Sequence, residues 1–153
     1  MKRTEELGIN GLRLIQDSEL FCFGTDSVLL SDFATALPGA KVVDLCTGNG
    51  VIPVLMSAKT KAASITGIEL LTESYELAVE NARINNLTDR LSFINDDLKN
   101  WKNYFKPGSV DVVTCNPPYM KVGAGFQNPH DLKAAARHEI FASLDDIISA
   151  AEI

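Results

Sequence analysis

The sequence predicts an α/β protein built on a Rossmann-like, doubly wound parallel sheet. Short apolar runs alternate with helical patterns between residues 41 and 115, and this alternation implies right-handed crossovers and parallel strands. Polar or glycine residues follow each run, at the edge where open α/β sheets bind ligands. The last run ends at Pro117 and Pro118, which cannot continue a strand ladder because neither has an N–H.

The amino-terminal part is predicted to form a β-hairpin and a helix. Apolar runs at residues 12–16 and 20–23 flank a polar turn, which is typical of a short hairpin. Thr25 or Asp26 is expected to cap an apolar helix that ends before Pro38. We therefore expect two units, an N-terminal hairpin and helix at residues 1–38 and a cofactor-binding core at residues 39–153.

The core elements follow one another in a regular order. If the four strands of the core, numbered in chain order, lie side by side in the order 3-2-1-4, the fourth strand forms an exposed apolar edge of the sheet. Proteins avoid such edges. We expect that further carboxyl-terminal strands are absent from this chain, or that a second copy covers the edge. The expected elements are a strand at 41–45, a helix at 51–59, a strand at 64–68, a helix from 73 to about 86, a strand at 91–94, a short helix or turn at 97–104, a strand at 110–115, and helical segments near 132–136 and from 144 onward.

The composition favours a protein without a membrane span. No apolar run approaches the ~20 residues that a span needs, and the amino end, Met1–Glu6, is too polar and acidic for a signal peptide. We therefore expect a cytoplasmic protein. Cys22, Cys46 and Cys115 form no Cys-x-x-Cys pair, so buried free thiols are expected rather than a disulfide or a metal site.

A glycine-containing turn follows the first predicted core strand. The segment runs Asp44-Leu45-Cys46-Thr47-Gly48-Asn49-Gly50. Gly48 and Gly50 permit a tight turn and a close backbone approach to a ligand, and the following helix offers free N–H groups to an anion. Pro53 stands where a dinucleotide fingerprint has its third glycine, so a smaller anion such as a carboxylate is favoured over a pyrophosphate. A plain turn is the alternative interpretation.

Acidic residues end the next two predicted strands. Glu69 closes the second strand, where an acid commonly accepts hydrogen bonds from both ribose hydroxyls; a charge at a helix N-terminus is the alternative. Asp96 and Asp97 end the third strand. Either residue is a candidate acceptor for a purine amino group, and either is also a candidate cap for the helix that follows.

The segment Asn116-Pro117-Pro118-Tyr119 closes the fourth predicted strand. A short amide, a stiff kink and an aromatic ring at this edge suit the binding of a flat, amino-bearing group whose nitrogen is to be polarised. A rigid turn without chemistry is the alternative.

The charge pattern leaves the partner open. The net charge of −6 argues mildly against a broad phosphate-binding surface, but a local patch is enough to bind nucleic acid. A slight excess of positive charge follows the Asn-Pro-Pro-Tyr segment. It is carried by Lys121, Lys133 and Arg137, with His130 and His138 nearby. A solvated loop explains the same charges equally well.

Taken in order, the strand ends resemble those of S-adenosylmethionine-dependent methyltransferases of the Rossmann-like class. The Asn-Pro-Pro-Tyr segment is similar to that of enzymes that methylate planar nitrogens. Further stretches resemble the bacterial tRNA-valine adenine N6-methyltransferases, although relatives carry additional carboxyl-terminal strands. These stretches are Gly8-Ile9-Asn10-Gly11-Leu12, Phe21-Cys22-Phe23-Gly24-Thr25-Asp26-Ser27-Val28-Leu29-Leu30 and Ala136-Arg137-His138-Glu139.

The resemblance implies S-adenosylmethionine as cofactor and methyl transfer to the N6 atom of an unpaired adenine in RNA, with tRNA as the expected partner. It implies that the Asn116 side-chain oxygen and the Pro117 carbonyl accept the amino hydrogens while Tyr119 stacks on the base. The implied residues are Asn116, Pro117 and Tyr119 for catalysis; Thr25, Asp44, Thr47, Gly48, Asn49, Gly50, Glu69, Asp97 and Asn116 for the cofactor; and Pro118, Tyr119, Lys121, Arg137 and His138 for the substrate.

Three alternatives remain open at this point. A protein glutamine N5-methyltransferase that acts on release factors would use the same pocket, although the amino end here is predicted to be a hairpin rather than a helical substrate-binding domain. A non-catalytic module that binds cofactor or nucleic acid is a second alternative. A DNA substrate is the third, disfavoured by the acidic charge.

Overall fold

A four-stranded parallel sheet organises the protein. The computed structural model describes residues 1–117 and 142–153. In chain order the elements are β1 (Lys2–Glu6), β2 (Arg13–Asp17), α1 (Thr25–Phe33), β3 (Lys41–Leu45), α2 (Val51–Lys59), β4 (Ser64–Glu69), α3 (Thr72–Ile84), β5 (Leu91–Asn95), a 3₁₀ helix (Leu98–Asn103), β6 (Val112–Cys115) and α4 (Leu144–Ala150).

The core strands lie in the order β5-β4-β3-β6, and all neighbours are parallel. This order is the predicted 3-2-1-4 arrangement, so the α/β fold class with its parallel sheet is confirmed. The register places Asp44 opposite both Gly67 and Thr114. The carboxyl ends of the strands therefore meet at one edge of the sheet.

The sheet is covered on both faces, as a doubly wound fold requires. Successive side chains of a strand point to opposite faces, and β3 shows this directly. Val42 packs in one apolar cluster with Leu14, Val54 and Ile65, whereas Val43 packs in a second cluster on the other face with Leu45, Trp101 and Ile153 among its members.

The outer side of β6 is the sheet edge among the described residues, because no strand of residues 1–117 or 142–153 pairs there. The expectations that a second copy covers this edge and that the chain divides at residue 38 stay predictions. The helical segment expected near 132–136 lies outside the described residues. None of the helices in the described ranges is long and apolar enough to cross a bilayer.

The amino-terminal hairpin exists, and the strand predicted at 12–16 is β2, but the prediction of its partner strand at 20–23 was wrong. β1 pairs with β2 in antiparallel register, from Lys2 opposite Asp17 to Glu6 opposite Arg13, whereas residues 20–23 lie in irregular structure. The polar sequence of β1 carries no apolar alternation, and four of its five residues are exposed. The pairing of β1 with β2 therefore cannot be recognised from a pattern of apolar residues in the sequence.

Helix α1 also differs from the prediction. Gly24 is its N-cap, and the helix ends at Phe33, so neither Thr25 nor Asp26 is the capping residue. Asp26 instead directs its carboxylate at the end of β6, as described below. The core strands and the helices between them lie within two residues of their predicted bounds.

Asn81 of α3 and Asn85, the C-cap of that helix, bind the edge of β2 that does not pair with β1. Asn81, which is 0% exposed, accepts a hydrogen bond from the Ile15 N–H at 2.7 Å and donates one to the Ile15 carbonyl at 3.0 Å. Asn85, one turn later, makes the same pair of bonds with Arg13 at 2.9 and 2.7 Å. Asn81 also donates to the backbone carbonyl of Asn49 at 2.9 Å, so one carboxamide joins the hairpin to the glycine-containing turn.

Asn81→Ala is expected to destabilise the protein by about 3 kcal/mol, because it leaves the partly buried N–H and carbonyl of Ile15 and the buried carbonyl of Asn49 without this partner, and each buried group left unpaired costs ~1–3 kcal/mol. Asn85→Ala is the matched comparison; because Asn85 is partly exposed, water replaces its bonds and about 1 kcal/mol is expected. Urea unfolding measures both free energies. Equal losses in the two variants would contradict the special role of Asn81.

Candidate active site

The buried carboxylate of Asp44 lies at the centre of the sheet edge. It is 0% exposed, and it is the penultimate residue of β3. Its Oδ2 accepts a hydrogen bond from the Thr47 hydroxyl at 2.6 Å, and its Oδ1 accepts one from the Thr114 hydroxyl at 2.6 Å. One side chain thus joins the turn after β3 to the last residues of β6.

The environment of Asp44 disfavours its charge. Burial raises the pKa of Asp44 to about 7, although the hydroxyls of Thr114 and Thr47 oppose this rise by hydrogen-bonding the charged form. The nearby Glu69 raises this pKa further. The carboxyl of Asp44 therefore gains and loses its proton near neutral pH.

The turn after β3 is built from left-handed backbone conformations. Cys46 has φ of 54°, Gly48 of 59° and Gly50 of 79°, a region that only glycine adopts without strain. The Thr47 N–H fixes the turn by donating to the Ile68 carbonyl at 3.0 Å. Gly50 then serves as the N-cap of α2, so the free N–H groups of that helix face the same edge.

Glu69 lies against this turn at the end of β4. Its Oε2 accepts the Gly48 N–H at 2.8 Å, and its Oε1 accepts the Leu71 N–H at 2.8 Å. Burial raises the pKa of Glu69, while these backbone donors act in the opposite direction. The carboxylate is therefore held in one orientation beside the glycines, as the order of motifs in the sequence predicts.

Gly67 permits the close packing under the turn. A Cβ at this position would lie 2.7 Å from Phe93 Cδ1 and 2.7 Å from Thr47 Cγ2, which is too close for any real side chain. The glycine therefore leaves the space that the side chains of Thr47 and Phe93 occupy. This role of Gly67 is hard to recognise from the sequence, because the residue lies inside a strand pattern.

The two acids after β5 both accept hydrogen bonds from the segment that follows them, and Asp97 is the N-cap of the 3₁₀ helix. Asp96 accepts hydrogen bonds from the Tyr104 hydroxyl at 2.7 Å, from Asn100 at 2.9 Å and from the Asp97 N–H at 2.7 Å. These bonds, the Tyr104 bond foremost, lower the pKa of Asp96. Asp97 accepts the Lys99 N–H at 2.9 Å. The capping interpretation thus holds for Asp97 and not for Asp96, and contact of Asp97 with a purine stays a prediction.

Asn116 follows β6 and meets the first turn of α1. Its Nδ2 donates to Asp26 Oδ2 at 2.7 Å and to the Ser27 hydroxyl at 3.0 Å. The register pairs Leu45 with Cys115, so Asn116 emerges directly beside the turn after β3. The register thus brings the Asn116 carboxamide beside the glycine-containing turn, and its role as an acceptor for a substrate stays a prediction.

The remaining predicted site residues fall into three groups. Thr25 is exposed at the start of α1, whereas Asn49 is buried and its carbonyl binds Asn81. Pro117 is partly buried after β6. Pro118, Tyr119, Lys121, Arg137 and His138 lie outside the described residues, so their roles stay predictions.

Several contacts of the site were missed by reasoning from sequence. Thr114 is a hydroxyl residue within an apolar run, and this was the only local signal for its bond to Asp44. Asp26 was considered as a helix cap and Ser27 was given no role, and nothing in the local pattern points to Asn116. These contacts join residues 70 to 90 positions apart along the chain.

Comparison with known proteins gives matches by family and by sequence. Residues 16–143 match the family model described as "Methyltransferase small domain". A tRNA1(Val) (adenine(37)-N6)-methyltransferase of Glaesserella parasuis serovar 5 (strain SH0165) is 30% identical over 76% of this chain and 49% of that protein. The protein of the same name from Shewanella baltica (strain OS195) is 33% identical over 82% of this chain and 53% of that protein. The chain thus spans about half the length of the curated relatives it matches.

Solved structures support the fold. TYW2 of P. horikoshii, crystallised in complex with MeSAdo, superposes with a TM-score of 0.57 at 24% identity over 68% of this chain and 39% of that one. TrmN from Thermus thermophilus superposes with a TM-score of 0.52 at 26% identity over 61% of this chain and 28% of that one. The parallel sheet and its flanking helices are therefore an architecture of methyltransferases.

The raised pKa of Asp44 predicts that stability falls as pH rises. Between the ordinary value of 3.8 and about 7, the folded state keeps a proton that the unfolded chain has released, so the unfolded chain binds fewer protons and unfolding becomes easier. The difference amounts to about 4 kcal/mol across this window, and the raised pKa of Glu69 acts in the same direction.

Asp44→Asn is expected to remove most of the loss of stability that accompanies rising pH, because a carboxamide does not titrate. Urea unfolding at pH 5 and pH 8 measures the difference in each protein. Asp89→Asn, at an exposed position, is the matched control and should follow the unchanged protein. Parallel pH profiles in Asp44→Asn and the unchanged protein would show that Asp44 is not the group responsible.

Proposed function

This chain belongs to the methyltransferase small domain family, and we propose that it transfers a methyl group from S-adenosylmethionine to the N6 atom of an unpaired adenine in tRNA. The observation that carries the proposal is the parallel pairing of β3 with β6. That pairing brings the glycine-containing turn, which suits a cofactor, beside Asn116, which suits an amino group. Relatives that match most of this chain are named for this reaction.

The residues of the sheet edge fit S-adenosylmethionine chemically. Glu69 is an acceptor-only carboxylate fixed by Gly48 and Leu71, which suits ribose hydroxyls. The uncapped start of α2 after Gly50 suits the carboxylate of the methionine part. Asp97 is the acid proposed for the adenine. When bound, S-adenosylmethionine supplies an electrophilic methyl group on a positively charged sulfur.

Asn116 and Pro117 are proposed to activate the substrate nitrogen. The lone pair of an adenine amino group is delocalised into the ring, so this nitrogen is a poor nucleophile. The Asn116 side-chain oxygen and the Pro117 carbonyl oxygen accept its two hydrogens, which favours a tetrahedral nitrogen and stabilises the positive charge that develops on it. No covalent intermediate is required, because holding the two reactants in line lowers the barrier.

The substrate has to present its adenine outside a helix. The amino group of a paired base is engaged in the duplex, so the base must be flipped or already unpaired, as in a tRNA loop. Tyr119 is proposed to stack on the base, worth ~1–3 kcal/mol. Lys121, Arg137 and His138 are proposed to contact RNA phosphate, and tRNA modification implies a cytoplasmic location.

The proposal is tested by incubating the protein with bulk tRNA and S-adenosylmethionine and analysing the nucleosides by mass spectrometry. N6-methyladenosine is expected. A release factor serves as the second substrate, because its glutamine amide would fit the same pocket. Methylglutamine in the release factor together with unmodified tRNA would overturn the proposal in favour of the protein substrate.

Asn116→Ala is expected to bind S-adenosylmethionine normally and to lose methyl transfer by about 10²- to 10³-fold, the usual effect of removing one preorganised stabilising group. Calorimetry measures the binding, and transfer of labelled methyl measures the rate. Asn103→Ala, an exposed asparagine of the 3₁₀ helix, is the control and should react at the unchanged rate. Near-normal turnover in Asn116→Ala would reject the proposed mechanism.

A further inference from the structure

We propose that Asp26, assisted by Ser27, is a positioning residue that orients and polarises the Asn116 carboxamide, an inference that rests on the proposed function of Asn116. The two residues form the start of α1, and Asn116 follows β6. They are 90 and 89 positions away from Asn116 along the chain. The contact therefore depends on the tertiary fold.

Asp26 and Ser27 determine the orientation of the Asn116 carboxamide. A terminal carboxamide rotates between two states that exchange its nitrogen and its oxygen. Asp26 Oδ2 lies 2.7 Å and Ser27 Oγ 3.0 Å from Asn116 Nδ2, and a carboxylate oxygen accepts hydrogen bonds but never donates them. The amide nitrogen is therefore fixed toward α1, which turns the acceptor oxygen the other way. In the opposite state, Asn116 would present N–H donors to the hydrogens of an amino group.

Asp26 also polarises the Asn116 carboxamide. A hydrogen bond to a charged carboxylate is shorter and about twice as strong as a neutral one. By drawing on the N–H of Asn116, Asp26 shifts electron density through the amide to its oxygen, as bonds in a chain strengthen one another. A more negative oxygen better stabilises the positive charge that develops on the substrate nitrogen.

Local structure supports a specific role for Asp26. A Cβ at position 24 would lie 2.8 Å from Asp26 Oδ1, so Gly24 leaves the space that this carboxylate occupies. Ser27 is 3% exposed, which holds the second acceptor rigidly in the first turn of α1. Asp26 itself is exposed, and exposed polar pairs contribute little to stability. Its loss should therefore affect chemistry more than folding.

The test compares Asp26→Asn with Asp32→Asn. Asp32 lies on the same helix but pairs with Lys59 at 2.6 Å, so this control removes the same charge from α1 without touching Asn116. Asp26→Asn is expected to lower kcat for tRNA methylation on the order of tenfold, with unchanged KM for tRNA and unchanged affinity for S-adenosylmethionine. Asp32→Asn should leave kcat unchanged. Asp26→Glu, which restores the carboxylate, should recover part of the loss.

A second readout does not depend on activity. The side-chain ¹⁵N–¹H resonances of Asn116, assigned by their loss in Asn116→Ala, should move upfield in Asp26→Asn and stay in place in Asp32→Asn. Unmoved resonances would overturn the contact whatever the enzyme does. Moved resonances with an unchanged kcat would overturn the polarising role. If the unchanged protein methylates no substrate, the proposed function fails, while the spectra still decide the contact.

Ser27→Ala covers the case in which Asp26→Asn does not fold. It removes the second acceptor and leaves the charge in place, so a smaller loss of kcat and a smaller shift of the Asn116 resonances are expected. Identical spectra and identical kcat in Ser27→Ala and the unchanged protein would contradict the assigned contact.

Discussion

The bridge from the Asp44 carboxylate to the hydroxyls of Thr47 and Thr114 is the interaction on which the candidate site depends. A buried carboxylate without partners would be strongly unfavourable, so both hydroxyls are needed where they lie. Thr47 belongs to the turn after β3, and Thr114 belongs to β6. The bridge therefore fixes the position of the turn relative to Asn116, which lies two residues beyond Thr114.

The amino-terminal region supports both halves of this site. Asn81 joins β2 to the glycine-containing turn through the Asn49 carbonyl, and the first turn of α1 holds the Asn116 amide through Asp26 and Ser27. The hairpin and α1 thus do more than cover the sheet. They fix the backbone of the glycine-containing turn on one side of the site and the Asn116 carboxamide on the other, as a preorganised site requires.

The sequence was informative where local physics decides the structure. β3 and α2 lie at their predicted bounds, 41–45 and 51–59, because a β-branched run and an apolar helix are separated by glycines. The order of Gly48, Glu69 and Asn116 along the chain also predicted their common edge, since parallel strands bring their carboxyl ends together.

Contacts that depend on the tertiary fold could not be predicted from the sequence. β1 pairs through its backbone alone, so its polar side chains carried no pattern. Asp26 is of a residue type that commonly caps helices, so it was interpreted as a candidate N-cap. Its real partner lies 90 residues away, beyond what local spacing reveals. Thr114, opposite Asp44 in the register, is recognisable only when the strand order is known.

The central claim is that adjacent strand ends form one site for the cofactor and for the amino group. An NMR titration with S-adenosylhomocysteine, the unreactive product, tests it most directly. The account predicts that the amides of Gly48 and Gly50 and the side-chain resonances of Asn116 shift together, with one dissociation constant. Shifts confined to another part of the molecule, such as the cleft between Ser31 and Lys59, would contradict it.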